Sequence, residues 1–126
     1  MGIEVTALDH VTLNVTGLAR ARRFYGELLG LEEIARPESY TFAGAWYRAG
    51  TAVIHLVVAS TAETESTRHV CLWVEVVNEA RRTLQDAGLE VLPDFPKIPG
   101  LDRFYTHDPD GNRIEFQGSD GTTWTA

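Results

Sequence analysis

The stretch His10-Val11-Thr12-Leu13-Asn14-Val15 returns in altered form as His69-Val70-Cys71-Leu72-Trp73-Val74, and this correspondence decides the fold. His, Val, Leu and Val coincide at an offset of 59 residues. The same offset places Ala21-Arg22-Arg23 on Ala80-Arg81-Arg82, and after a one-residue gap Gly30-Leu31-Glu32 falls on Gly88-Leu89-Glu90. Toward the end of each half, Val53-Ile54-His55-Leu56 lines up with Arg113-Ile114-Glu115-Phe116 at an offset of 60. A fixed period of this kind means one supersecondary unit used twice.

Each half reads the same way. Residues 8–15 alternate His10, Thr12 and Asn14 with Val11, Leu13 and Val15, the period of two expected of a half-buried strand. A helix follows, with Thr16 as its expected N-cap, Leu18, Ala21, Phe24, Tyr25, Leu28 and Leu29 at helical spacing, and Gly30 as its stop. Three strands are expected at 31–36, 45–48 and 52–58. The second half repeats the order with a strand over 70–76, a helix from an Asn78 cap to a Gly88 stop, and strands over 89–92, 101–106 and 112–117. Asp108-Pro109-Asp110-Gly111 between the last two is strong turn chemistry. The expectation is an α+β fold of two βαβββ modules, 7–58 and 68–117, in one domain spanning 1–126. Residues 59–67 read as a polar linker and 118–126 as a tail.

Size and charge agree with one compact domain. The chain has 126 residues, 44% of them hydrophobic and 23% charged, which is the composition of an ordinary globular domain. A net charge of -7, with 11 scattered basic residues, removes the clustered Lys and Arg that nucleic-acid binding needs. The single cysteine, Cys71, forms no internal disulfide, and no apolar run suits a signal segment or a membrane span, so a cytoplasmic location is expected.

The repeat also carries chemistry. His10 and His69 start the two halves, and His55 and Glu115 close them. Each is flanked by aliphatic or aromatic residues that point the other way, so all four belong to the polar face of a sheet whose outer face is covered by helices. Imidazoles and a carboxylate suit Zn²⁺, Ni²⁺, Co²⁺, Mn²⁺ or Fe²⁺. Any one of the four, alone, reads as a structural residue. Four in phase at repeat-related positions read as ligands to one divalent ion, with His55 the least secure.

These residues resemble the vicinal oxygen chelate superfamily, which includes glyoxalase I, methylmalonyl-CoA epimerase, fosfomycin-resistance transferases, extradiol dioxygenases and bleomycin-resistance proteins. Leu8-Asp9-His10-Val11-Thr12, Phe24-Tyr25, Leu29-Gly30-Leu31, His69-Val70 and Asp108-Pro109-Asp110-Gly111-Asn112-Arg113-Ile114-Glu115-Phe116 carry the resemblance. It implies two βαβββ modules forming a cupped mixed sheet, one divalent ion, and substrates that chelate it through adjacent oxygens. His10, His69 and Glu115 match the usual ligands and His55 an optional fourth. Members are commonly dimers that build each site from both subunits, so a homodimer is expected. The chain departs from glyoxalase I in having Asn14 and Ala59 where glutathione-binding Arg and Asn stand. From fosfomycin-resistance transferases it departs in carrying His55 and in lacking a matching potassium-binding loop.

The expected function is therefore a metal-dependent glyoxalase-like enzyme of lyase, isomerase or epimerase type, acting on a small oxygen-chelating molecule. Glu115 would serve as ligand and base, leaving the ion when substrate arrives. Should His55 not coordinate, His10, His69 and Glu115 form the two-histidine, one-carboxylate arrangement of Fe²⁺ dioxygenases. A third reading is a non-catalytic small-molecule or drug-binding resistance protein. Thr12, Asn14, Trp46, Arg48 and Trp73 are the candidate substrate contacts, Arg48 for a carboxylate. His107 reads as a rim residue.

Overall fold

A computed structural model describes residues 2–61 and 66–122; linker residues 62–65 and tail residues 123–126 lie outside it. Among the described residues the elements run β1 (His10–Val15), α1 (Leu18–Arg22, continuing as a wide π-turn over Arg23–Leu28), β2 (Glu32–Ile34), β3 (Gly44–Ala49) and β4 (Ala52–Val58). The second module supplies β5 (His69–Trp73), α2 (Val77–Asp86), β6 (Leu92–Pro93), β7 (Leu101–His107) and β8 (Arg113–Ser119). No helix among them is long and apolar enough to cross a membrane.

Each module closes its own four-stranded mixed sheet, in the order β1-β4-β3-β2 and β5-β8-β7-β6. The first strand of each module pairs in parallel with the last, and the intervening helix and two strands form the long crossover that parallel pairing requires. Thr12 lies opposite His55 and Cys71 opposite Glu115. In both halves, then, the leading histidine stands two residues before the partner of the second candidate ligand, and the period seen in the sequence survives as register.

The other face of each sheet is core. In module 1, Val15, Ala45, Tyr47, Ile54 and Leu56 are buried together with Ala21, Phe24 and Tyr25 of the helical segment; in module 2, Phe104, Ile114 and Phe116 are buried with Val77 and Leu84 of α2. Removing each such side chain from water stabilises the fold by roughly 1.5–3 kcal/mol. The expected stops hold: Gly30 and Gly88 adopt φ of 73° and 83°, a left-handed conformation that side-chain-bearing residues adopt only with strain.

Several boundaries differ for physical reasons. Thr16 does not cap α1; Gly17 precedes the helix, and the Thr16 hydroxyl instead donates a short hydrogen bond to Asp110 in the other module. Asn78 lies inside α2, which begins one residue earlier because Val77 is buried in the core. The strand expected over 89–92 shrinks to Leu92–Pro93, since the Glu90 carbonyl accepts from the Thr106 hydroxyl at 2.6 Å and Pro93 has no N–H to donate. The final strand runs on to Ser119, into the expected tail.

The turn at 108–112 joins the modules. Buried Asp108 accepts from Tyr25 Oη at 2.7 Å and from Asn112 Nδ2, the Asp110 N–H and the Asn112 N–H, each at 2.9 Å. Asn112 Nδ2 also donates to the Asn14 carbonyl at 2.8 Å. This contact meets β1 at its C-terminal end, whereas His10 stands at the opposite end, about 13 Å away along the strand.

Candidate metal centre

The exposed face of the first sheet carries a stack of rings. His55 lies flat between Trp46 and His10, with ring centroids 3.9 Å and 4.0 Å away and interplanar angles of 4° and 11°. The Tyr40 ring packs edge-on to Trp46 at 5.2 Å and completes the support. Register explains the stack: Trp46 is the cross-strand partner of His55, and His10 is its diagonal neighbour on β1. Burial, reinforced by neighbouring His10, lowers the proton affinity of His55 and favours its neutral form.

The stack also decides what the two imidazoles can do. A ring nitrogen donates its lone pair within the ring plane, so two ligands share an ion only where their planes meet. Planes separated by about 4.0 Å and tilted by 11° meet roughly 20 Å away, far beyond a metal–nitrogen bond of about 2.1 Å. As packed, His10 and His55 do not share an ion. His10 Nδ1 lies 2.8 Å from the Asp9 carboxylate, which only accepts; Nδ1 is therefore the protonated nitrogen, and the Nε2 lone pair is left for another partner.

The second sheet builds its counterpart from charge. His69 Nδ1 donates to the Thr67 carbonyl at 2.9 Å, which turns Nε2 toward Glu115 Oε1 at 3.2 Å. Both leading histidines are thus oriented in the same way, each by an oxygen at Nδ1. Glu115 is buried, and its other oxygen accepts from Arg103 Nη1 at 3.2 Å. Asp94 completes the group, 4.0 Å from Arg103 and 3.4 Å from Arg113, whose guanidinium lies over the Tyr105 ring at 3.8 Å. Burial, then the Asp94 carboxyl, raises the Glu115 pKa; Asp94 moves the opposite way through its hydrogen bond to Glu115. Cys71 faces the same side, and burial followed by the Glu115 charge pushes its thiol up to about 12, so it stays protonated.

The remaining expected contacts divide. Thr12 and Asn14 reach a cleft of about 230 Å³ between β1 and β5 that His69 and Arg113 also line. Trp46 is occupied as the backing of His55. Arg48 pairs with Glu32 at 3.3 Å, with both side chains exposed. Trp73 is half exposed beside a groove of about 560 Å³ bordered by Leu8, Val53 and Val70. His107 is exposed against Tyr105, as expected of a rim residue.

Two residues at the centre escaped the sequence reading. Arg103 was available to the alternation argument: Tyr105 is the partner of Glu115, so Arg103, two residues before it, shares that face. Asp94 had no such signal, because it stands in a loop that only tertiary closure brings to Glu115.

The four expected ligands therefore form two pairs and not one cluster. Among the described residues no three His, Cys, Asp or Glu side chains converge as an ion-binding group. Both leading strands, β1 and β5, lie at open edges of their sheets.

A fold of paired βαβββ modules, with histidine at the head of each and a carboxylate on the last strand, defines a class. Residues 7–116 match the Glyoxalase/Bleomycin resistance protein/Dioxygenase superfamily, and the chain belongs to it. It is 29% identical to Glyoxylase I 4 of Arabidopsis thaliana over 94% of this chain and 74% of that protein. Against the fosfomycin resistance protein FosX of Listeria monocytogenes it is 25% identical over 89% of each. Among solved structures, a putative glyoxalase family protein from Bacillus anthracis superposes with a TM-score of 0.86 at 34% identity, covering 95% of this chain and 100% of that one. A FosX variant complexed with Mn(II) and 1S,2S-dihydroxypropylphosphonic acid has the same fold, with a TM-score of 0.78 at 20% identity over 94% of this chain and 95% of that one.

Proposed function

We propose that this chain is a divalent-metal enzyme of the superfamily, that it works as a homodimer, and that each centre takes His10 from one chain and His69 with Glu115 from the other. The observation that carries this reading is the pairing: each module offers an oriented Nε2, one module adds a carboxylate, and a single chain keeps the two sets apart. Two neutral imidazoles and a carboxylate are a fitting donor set for Mn²⁺, Fe²⁺, Co²⁺, Ni²⁺ or Zn²⁺. When bound, such an ion supplies Lewis acidity that polarises a carbonyl and acidifies the adjacent C–H.

The residues then have distinct tasks. His10 and His69 hold position through Asp9 and Thr67. Oε1 of Glu115, the oxygen that Arg103 does not hold, serves in turn as ion donor and as acceptor of the substrate proton, which it then returns; its raised proton affinity suits that exchange. Thr12 and Asn14 contact the substrate along the cleft. The reaction is a proton transfer of isomerase, epimerase or lyase type on a small molecule with adjacent oxygens.

The test is hydrogen exchange. Protein loaded in turn with Mn²⁺, Ni²⁺ and Zn²⁺ is incubated in ²H₂O with a panel of 2-hydroxy ketones and 2-oxo acids; NMR should show deuterium entering the carbon beside the carbonyl, and Glu115→Gln should abolish it. The stacking of His55 on His10, which sets their two lone pairs in nearly parallel planes, favours one other reading, an Fe²⁺ dioxygenase on a two-histidine, one-carboxylate centre of His10, His69 and Glu115. Oxygen uptake by iron-loaded protein with catechols, and no deuterium exchange, would replace the first reading with the second.

A further inference from the structure

We infer that Arg103 is a positioning residue: it clamps Glu115 as a one-oxygen donor and ties that donor to the 94–98 segment, so that ion binding and immobilisation of the segment are one event. This rests on the proposed ion-binding role of Glu115. Three contacts of one guanidinium carry it. Nη1 donates to Glu115 Oε2 at 3.2 Å, the same nitrogen lies 4.0 Å from Asp94, and Nη2 donates a short hydrogen bond to the Pro96 carbonyl. Arg103 is therefore hydrogen-bonded to the proposed ligand and to Pro96, and lies within ion-pair distance of Asp94 on the other side of Phe95.

The geometry gives the clamp a direction. With Oε2 held by Arg103, the other oxygen faces His69, and Glu115 presents one donor atom where a free carboxylate would sample two. A guanidinium is suited to this because its donors are fixed in one plane and reach two acceptors without rearrangement, which an ammonium does not reproduce. The 94–98 segment gains from the same bond. Its other ties are the Asp94–Arg113 pair, the Asp94–Glu115 contact and the Ile98 carbonyl, which accepts from the Leu101 N–H at 3.1 Å, while Phe95 and Ile98 are exposed. Losing Arg103 would loosen both ends: the carboxylate gains a second orientation, and the segment loses its tie to the sheet.

The experiment compares wild type, Arg103→Met, Arg103→Lys and Asp94→Asn, with circular dichroism confirming that each is folded. Mn²⁺ affinity is measured by calorimetry, and trypsin cleavage of the Lys97–Ile98 bond is followed by mass spectrometry with and without Mn²⁺. Arg103→Met should weaken Mn²⁺ binding about 10–100-fold, the usual effect of losing a group that orients a ligand. It should also speed cleavage at Lys97 several-fold without metal and erase the protection that Mn²⁺ gives the wild type. Arg103→Lys should recover part of the affinity, and Asp94→Asn should fall between wild type and Met. Unchanged affinity together with unchanged cleavage in Arg103→Met overturns the inference. If the wild type takes up no Mn²⁺, Zn²⁺ or Ni²⁺, the proposed function fails instead, and the tie to Pro96 is judged on metal-free cleavage alone. Should Arg103→Met not fold, the Lys and Asn variants carry the same comparison.

Discussion

The two inner faces share a backbone plan and differ in what holds them. On the first sheet, His55 is stacked between Trp46 and His10; on the second, His69 is held by the Thr67 carbonyl and Glu115 by Arg103 and Asp94. Register is common to both, since the second candidate lies opposite Thr12 in one module and Cys71 in the other. Replacing a histidine by a glutamate at the repeat-related position changed the surrounding physics. A flat neutral ring packs against an aromatic, whereas a buried carboxylate requires donors. The comparison teaches that duplication supplied two donor pairs and divergence made them unequal, one held by ring stacking, the other by hydrogen bonds and ion pairs.

The strongest way to break this comparison is to separate the halves genetically. His10→Ala and Glu115→Ala homodimers should each lose Mn²⁺ uptake by on the order of 100-fold or more, while co-expressed chains carrying one change each should regain about a quarter of the wild-type sites, since half the dimers are mixed and each mixed dimer has one intact pair of halves. No recovery in the mixture would end the shared-site reading. Next in size is the joint between the modules. Asp108→Ala removes the acceptor of four hydrogen bonds, two of them from the Tyr25 hydroxyl and the Asn112 amide, and should cost on the order of 3 kcal/mol in urea unfolding with the structure otherwise retained.

A smaller effect sharpens the contrast between stacked and coordinating histidines. His55→Phe keeps a flat ring between Trp46 and His10, so Mn²⁺ affinity should change less than about threefold, whereas loss of a true ligand would cost far more. An affinity loss as large as that of His10→Ala would make His55 a ligand after all. Smallest is the pair at the edge of the first sheet. Arg22, donating to Glu33 at 3.1 and 3.2 Å, holds that carboxyl below its usual pKa of 4.5. A depressed pKa stabilises the fold above the ordinary carboxylate range and loses that contribution as pH falls through the folded value. Both side chains are substantially exposed, so Arg22→Ala should flatten the acid limb of the stability profile below about pH 4.5 by no more than about 0.5 kcal/mol.

Much of this was legible in the chain alone. Period-two alternation in residues 10–15, 53–56, 69–74 and 113–116 placed the four candidate ligands on the polar face, and the helix stops at Gly30 and Gly88 fell where a left-handed residue is required. The turn at 108–111 was recognised, but its carboxylates were not seen to be a joint: local sequence shows that Asp suits a turn and says nothing of Tyr25, which lies 83 residues away. Thr16 was misread for the same reason: its hydroxyl donates to Asp110 of the other module and accepts from the Arg20 guanidinium, where an N-cap would accept from a helix N–H.

By itself, then, the sequence determined the duplicated module, the face on which each side chain stands and the donor atoms available, because alternation and propensity act over a few neighbouring residues. Only the tertiary structure decided which donors meet. The 108–112 turn binds the far end of β1, His55 is pressed flat between two rings, and a loop carries Asp94 to Arg103. Those outcomes depend on packing between segments distant along the chain, where competing partners are compared in three dimensions and no local pattern ranks them.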